Sequence, residues 1–312
     1  MNNEEVIVDV QNIGHYFGDI KAVDDISFQV KRGEVLGFLG PNGAGKSTTM
    51  RMLSCFITPT FGKASIKGYD TINNSLEVRS SIGYLPENAP AYEDMIVADF
   101  LDFIASVRGF TGKEKKERIK AIISQISLEE VLHQRIETLS KGFKRRVCLA
   151  QAILHDPEVL ILDEPTDGLD PNQKHEIREL IRKISKEKVI ILSTHILEEV
   201  EEVCSRVIII AHGKIKADNT PDKLRSQSES AGMVSIILDS NIIKEAYHYF
   251  KQIDCTSRVE SINHSNQLNI FPKDLNGFTQ KIINECHKKS WQILDISVNK
   301  GNLAEVFRKI TT

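Results

Sequence analysis

Residues Gly40 to Thr49 read GPNGAGKSTT, and how this stretch is read decides the fold of the chain. Gly40, Gly45, Lys46 and Ser47 satisfy the phosphate-loop spacing of a glycine, four residues, then Gly-Lys-Ser. The stretch follows the apolar run EVLGFL, which reads as a strand, and opens a helix expected from Lys46 to about Ile57. Glycines there let the backbone wrap a polyphosphate, while successive N–H groups and the helix N-terminus face its negative charge. Lys46 reaches the β- and γ-phosphates, and Ser47 offers an oxygen to Mg²⁺. The expected binding set is Gly40, Asn42, Gly43, Ala44, Gly45, Lys46, Ser47 and Thr48. A glycine-rich turn ahead of a helix is the plain alternative, but a turn has no need of Lys-Ser-Thr at that offset.

On the N-terminal side the runs VIVDVQNI, AVDDISFQV and EVLGFLG, separated by glycine and charged turns, predict sheet from Val6 to Leu39. On the C-terminal side GKASIKGYD, residues 62–70, reads as a strand and hairpin. From about residue 88 to 158 the pattern turns helical, with VADFLDFIASVRGF and RIKAIISQI carrying apolar residues three and four apart. Then EVLILDEP, KVIILSTH and RVIIIAHGKI return as continuous apolar runs, as parallel strands buried on both faces do. The expected fold class is α/β: a phosphate-loop NTPase core over residues 1–225, with an antiparallel β subdomain and a helical insert. The small polar run SQSESAG, residues 226–232, reads as a linker. Residues 233–312 then run β-α-β-β-α-β with a final helix, which suggests a small ferredoxin-like α+β domain. No catalytic constellation stands in it, and Trp291 reads as an edge or core residue.

The 312 residues suit a larger domain plus a smaller one. A net charge of −3 gives no broad electrostatic reason to bind nucleic acid, and none is expected as a partner. Basic runs such as GKEKKERIK, residues 112–120, are matched by acidic ones and read as solvated helix faces. Five cysteines without a Cys-x-x-Cys pair argue against a disulfide framework or a zinc site. The N-terminal residues lack signal-peptide character, and no apolar run approaches the roughly 18 to 20 residues of a spanning helix. The expected place is the cytoplasm, with any membrane role exercised through another polypeptide.

Three further stretches carry chemistry. VLILDEPTDGLD, residues 159–170, is a buried strand ending in adjacent carboxylates, costly unless a cation such as Mg²⁺ is near. Asp163 is expected to hold the metal, and Glu164 to polarise the water that attacks the γ-phosphorus. His195, just past the strand VIILSTH, sits where ends of parallel strands converge, and either contacts the γ-phosphate or orients the attacking water. LSKGFKRR, residues 139–146, is expected to cap the next helix with Ser140, making a second anion site with the N–H groups of Lys141 and Gly142. Its plain alternative is a capped helix with a solvated basic face.

Together the phosphate loop, LSKGFKRRV immediately upstream of LILDEP, then GLD and a histidine after the next strand, resemble the nucleotide-binding domain of ABC ATPases over roughly Val6 to Leu224. The resemblance implies ATP and Mg²⁺ as ligands, ATP hydrolysis, and a second nucleotide-binding subunit. In that family the signature turn, here Leu139 to Phe143, closes on the γ-phosphate held by the opposite subunit. It further implies that Asp170 lies in the loop linking the two sites, that His195 is the switch histidine, and that Phe17 stacks on adenine, a role for which Tyr16 competes. IGYLPE, LAQAILHDPEVLILDEPTDGLDPNQ and the ending NLAEVFRKI resemble more closely the ATPase subunits of ABC-2-type exporters, the gliding-motility group of bacterial transporters being nearest. Integral membrane permease subunits, gripped near residues 87–110, and a peripheral location on the cytoplasmic face of the cell membrane are what that resemblance implies.

Two motifs depart from the family. Its usual Leu-Ser-Gly-Gly-Gln reads Leu-Ser-Lys-Gly-Phe, and the usual lid-loop Gln is Glu87. Glu87 still offers Mg²⁺ an oxygen but adds negative charge near the γ-phosphate. A soluble ABC ATPase acting on nucleic acid or ribosomes is the other class of reading. Its translation-type members carry two such domains and its chromosome-type members long coiled coils, neither of which this sequence shows.

Overall fold

Alternation of apolar and polar residues sets the first elements of the computed structural model, which describes residues 5–88, 90–186, 188–262 and 265–311. Strands β1 (Val6–Phe17) and β2 (Ile20–Lys31) form a long antiparallel pair with Val10 opposite Phe28, and β2 buries every second residue over its second half. β4 (Phe61–Ile66) pairs antiparallel with β1, and β5 (Tyr69–Asp70) with β4, giving the sheet order β2-β1-β4-β5.

The second sheet is built from apolar runs. β3 (Val35–Leu39), β7 (Val159–Asp163) and β8 (Val189–Thr194) are buried at every residue, as parallel strands covered on both faces must be. With β6 (Ile82–Leu85), β9 (Arg206–Ala211) and β10 (Lys214–Asn219) the order is β10-β9-β3-β8-β7-β6, and only β10 runs antiparallel to its neighbour. The two sheets share one core, in which Phe28 of β2 meets Phe38 of β3 edge-on with ring centroids 5.0 Å apart. Because β3, β7 and β8 are parallel neighbours, their C-terminal ends open on one crevice, the usual ligand position in such sheets.

Helix α1 (Lys46–Leu53) follows β3 directly and is shorter than the sequence pattern predicts. Ser54 caps it, and Cys55 takes a left-handed conformation (φ 60°) that ends the helix before Ile57. α2 (Ser75–Ser81) leads into β6, a strand the residue pattern does not announce. α3 (Val97–Val107), α4 (Gly112–Ile126) and α5 (Lys141–Ile153) follow, with single 3₁₀ turns at Glu129–Val131 and Ile136–Thr138. α6 (Pro171–Ile184) and α7 (Leu197–Val203) follow β7 and β8.

The chain divides into two compact units, 1–220 and 221–310. The second comprises α8 (Pro221–Arg225), β11 (Val234–Leu238), α9 (Ile243–Gln252), β12 (Thr256–Ser261), β13 (Gln267–Pro272), α10 (Phe278–Lys288), β14 (Ile293–Val298) and α11 (Leu303–Thr311). Its all-antiparallel sheet has the order β12-β13-β11-β14, a split β-α-β arrangement. Val234, Ile236, Leu268, Ile270, Phe250, Phe278 and Ile282 fill its core, and Trp291 is buried edge-on to Phe250 and Tyr249. Residues 226–232 form successive turns within this unit: Ser228 and Ser230 are buried, Asn302 N–H donates to Ser228 Oγ at 2.9 Å, and Ser230 N–H donates to Glu305 Oε2 at 3.2 Å. That stretch is thus packed, where its composition alone suggests a solvated connector.

Candidate functional site

The phosphate loop curls between β3 and α1 in a shape only small residues permit. Gly45 caps α1 with φ 105°, and a Cβ there would stand 2.5 Å from the backbone oxygen of Ala22. Lys46 is 5% exposed, and its ammonium donates to the carbonyls of Gly40 (2.8 Å) and Pro41 (3.3 Å), lying back along the loop. Ile20, Lys21, Ala22, Asn42, Gly43, Gly45, Ser47, Thr48, Glu87, Glu164 and His212 join it around a cavity of about 580 Å³.

The strand ends supply the acids. Ser47 Oγ donates to Asp163 Oδ1 at 3.0 Å, and Ser193 Oγ at the end of β8 donates to the same oxygen. Glu164, one residue beyond β7, is 6% exposed; its carboxylate lies 3.3 Å from Lys46 Nζ and 3.0 Å from His195 Nδ1. Glu164 itself is left-handed (φ 49°), with its N–H shared between Ser193 O (3.1 Å) and Ser193 Oγ (3.2 Å). A non-glycine residue held in that conformation needs its surroundings to over-determine it. Tyr84 of β6 has its phenol pushed up to about 12, by burial first and then by the charge of Asp163.

Ser47 and Asp163 form a pair of hard oxygens beside the phosphate cradle, while no group of three or more His, Cys, Asp or Glu among the described residues makes a metal cage. That donor set fits Mg²⁺, which is held by one or two protein oxygens and completed by phosphates and water. Glu87 is exposed on the loop after β6 and lines the same cavity.

The structure places the remaining expected residues elsewhere. Ser140 caps α5, its Oγ accepting from Phe143 N–H at 3.3 Å. With Gly142, Arg146, Gln173 and Glu176 it lines a separate cavity of about 530 Å³. A Cβ on Gly142 would meet the Gln173 amide at 2.7 Å, so a larger residue there would have to displace that side chain. Lys141 is exposed and lines a third cavity with Glu87, Lys144, Asp167 and Gly168. Asp170 caps α6, accepting from Gln173 N–H at 3.0 Å, with Pro171 in the first turn. Phe17 is half exposed and edge-on to His15, centroids 4.4 Å apart. Tyr16 is committed otherwise, its hydroxyl donating to Asp24 at 2.9 Å and its ring packing edge-on to Phe61.

Two contributors escape a reading of the sequence. Ser193 is a polar residue inside an apolar strand, the one local sign that it has a partner. Arg145, in the basic run after the Ser140 cap, is buried at 5% exposure rather than solvated. It donates to the carbonyls of Glu87 (2.6 Å), Pro86 (3.3 Å) and Glu164 (2.5 Å). Its spacing is the signal: three residues from Gly142 and four from Leu149, it lies on the buried stripe of α5.

Comparison with known proteins agrees with this geometry. The family model described as ABC transporter matches residues 23–167. The probable multidrug ABC transporter ATP-binding protein YbhF of Escherichia coli (strain K12) is 36% identical over 225 residues, covering 72% of this chain but only 39% of that protein. The uncharacterized ABC transporter ATP-binding protein YxlF of Bacillus subtilis (strain 168) is 30% identical over 290 residues, covering 93% of this chain and 94% of its own. A solved structure described as the ATP binding subunit of an ABC transporter is 32% identical, with a TM-score of 0.65 over 71% of this chain and 92% of that one. With a phosphate loop after β3, adjacent acids at the end of β7 and a capped helix α5 set on this sheet, the chain belongs to the ABC transporter ATP-binding proteins and has their phosphate-loop fold.

Proposed function

We propose that this chain binds and hydrolyses ATP as the energising subunit of a transporter, with export by a separate membrane permease as the favoured direction. The observation that carries the reading is Glu164, whose buried carboxylate is held between Lys46 and His195 at the mouth of the phosphate-loop cavity. Lys46 is poised to leave the loop carbonyls for the β- and γ-phosphates, since a triphosphate offers it charge-assisted acceptors. Ser47 and Asp163, with Glu87 lining the same cavity as Ser47, would hold Mg²⁺, which when bound would neutralise charge on the phosphate oxygens. Glu164 then accepts the proton of the attacking water, and His195 fixes the carboxylate by its hydrogen bond to Oε2. Phe17 supplies an exposed aromatic face for adenine.

The capped turn at Ser140 to Gly142 lines a different cavity from Lys46, which supports a role for it toward the nucleotide of a second subunit. ATP then touches one subunit when the pair is open and both when it is closed, so it favours closure by its differential contacts, and hydrolysis removes that bias. Among the described residues no helix is long and apolar enough to cross a membrane. The proposed location, which rests on the resemblance to transporter ATP-binding subunits, is peripheral, on the cytoplasmic face, attached to permease subunits. The name of one relative, the Nod factor export ATP-binding protein I of Rhizobium sp. (strain N33), 36% identical over 233 residues, favours export.

Glu164→Gln is the test. Its phosphate release should fall by about 10²- to 10⁴-fold, the range of a lost general base, while ATP binding persists and a closed dimer accumulates on a sizing column. Full turnover in that variant would overturn the assignment of Glu164; co-purification of a polytopic membrane protein with the native chain tests the transport coupling.

A further inference from the structure

We propose that Arg145 is a positioning residue that sets Glu164 and Glu87 at the phosphate site by gripping their backbone carbonyls. The inference rests on the reading of Glu164 as the group that activates water. The two prongs of the guanidinium divide the work: Nη2 donates to Glu164 O at 2.5 Å, and Nη1 to Glu87 O at 2.6 Å and Pro86 O at 3.3 Å. One side chain on the signature helix thereby ties together the loop after β6 and the end of β7, which lie 58 and 19 residues from it in sequence.

A cation 5% exposed and spent on carbonyl oxygens is a costly way to fill a core, where an apolar residue of the same size would serve. What it provides is geometric. Glu164 is held in a left-handed conformation with its N–H clamped by Ser193, and Arg145 clamps its C=O, so both peptide groups flanking the strained residue are fixed. The fork is rigid and planar, so moving the lid loop at Glu87 moves the guanidinium, and with it the carbonyl of Glu164. A lysine, with one rotatable ammonium, cannot hold two carbonyls on different elements in fixed register.

The test uses the full chain with Arg145→Lys and Arg145→Gln, each followed by thermal unfolding, nucleotide binding and steady-state hydrolysis. In both variants kcat should fall about 10- to 100-fold, the effect of displacing a reactive group by about an ångström, with ATP affinity within threefold of wild type. Placed in Glu164→Gln, either substitution should cost less than it does in wild type, because the Glu164 carboxylate is already gone and only the part exerted through Glu87 remains. Wild-type kcat in a folded Arg145→Lys protein overturns the inference, as does a full multiplicative loss in the double variant. So does a collapse of ATP affinity or of folding that tracks the loss of rate in both variants, because Arg145 would then be a structural residue only. If Glu164→Gln itself turns over fully, the reading of Glu164 fails instead; if it is inactive while Arg145→Lys is normal, the Arg145 inference alone fails.

Discussion

Replacing Gly45 by alanine tests whether the phosphate loop owes its shape to one close approach. At φ 105° an added Cβ is strained whatever the space, by about 1 to 2 kcal/mol. It would also lie 2.5 Å from Ala22 O and 3.2 Å from Val23 Cγ2, both on β2. That carbonyl belongs to the backbone of a paired strand and cannot rotate away, so loop or strand must yield by about half an ångström or more, adding about 1 to 2 kcal/mol. The total of about 2 to 4 kcal/mol should lower the melting temperature by about 5 to 15 °C for a unit of this size. Gly43→Ala is the internal control: φ is 78° but nothing lies within 4 Å of its Cβ, so only the conformational cost applies, about 1 to 2 kcal/mol. Thermal unfolding without nucleotide measures the difference, and calorimetric titration with ATP should show Gly45→Ala binding at least about tenfold more weakly than Gly43→Ala, as displaced N–H donors require. Equal melting temperatures for the two variants, with equal ATP affinity, would refute the reasoning.

Two other substitutions probe charge. Glu87→Gln removes an exposed negative charge beside the phosphate cavity; hydrolysis should rise by about threefold, the size of a screened unit charge at about 0.7 kcal/mol, and half-saturation should need more Mg²⁺, whereas unchanged rate and Mg²⁺ dependence would remove the idea. His155, whose imidazole is pushed down to about 4 chiefly by burial, bonds the carbonyl of Ile82 at 2.9 Å. Because the unfolded chain takes up that proton near pH 6.5 and the folded one only near 4, His155 costs stability progressively as pH falls between those values. A His155→Asn variant should therefore lose less of its melting temperature than wild type between pH 7.5 and 5, and parallel losses in the two proteins would contradict it.

The chemistry of the phosphate loop was legible because it is local. Eight residues from Gly40 to Ser47 carry the glycines, the cation and the hydroxyl in one run, and the strand before and helix after them follow from a continuous apolar stretch and its abrupt end. The same holds for β7 and β8, whose unbroken apolar runs announce strands buried on both faces. Other features have no local cause. β6 is four residues long, with a glycine among them, and becomes a strand only by pairing with β7. The basic run after Ser140 reads as a solvated face, yet tertiary contact turns Arg145 inward to carbonyls on two other elements and leaves Lys141 outside. Ser193 likewise gains its meaning from Asp163, thirty residues away. Sequence by itself determined where the phosphate-loop pattern lies and which strands are buried, because spacing and periodicity are properties of neighbouring residues. The tertiary structure alone decided how the acids are aimed, because that depends on hydrogen bonds between residues that only folding brings together.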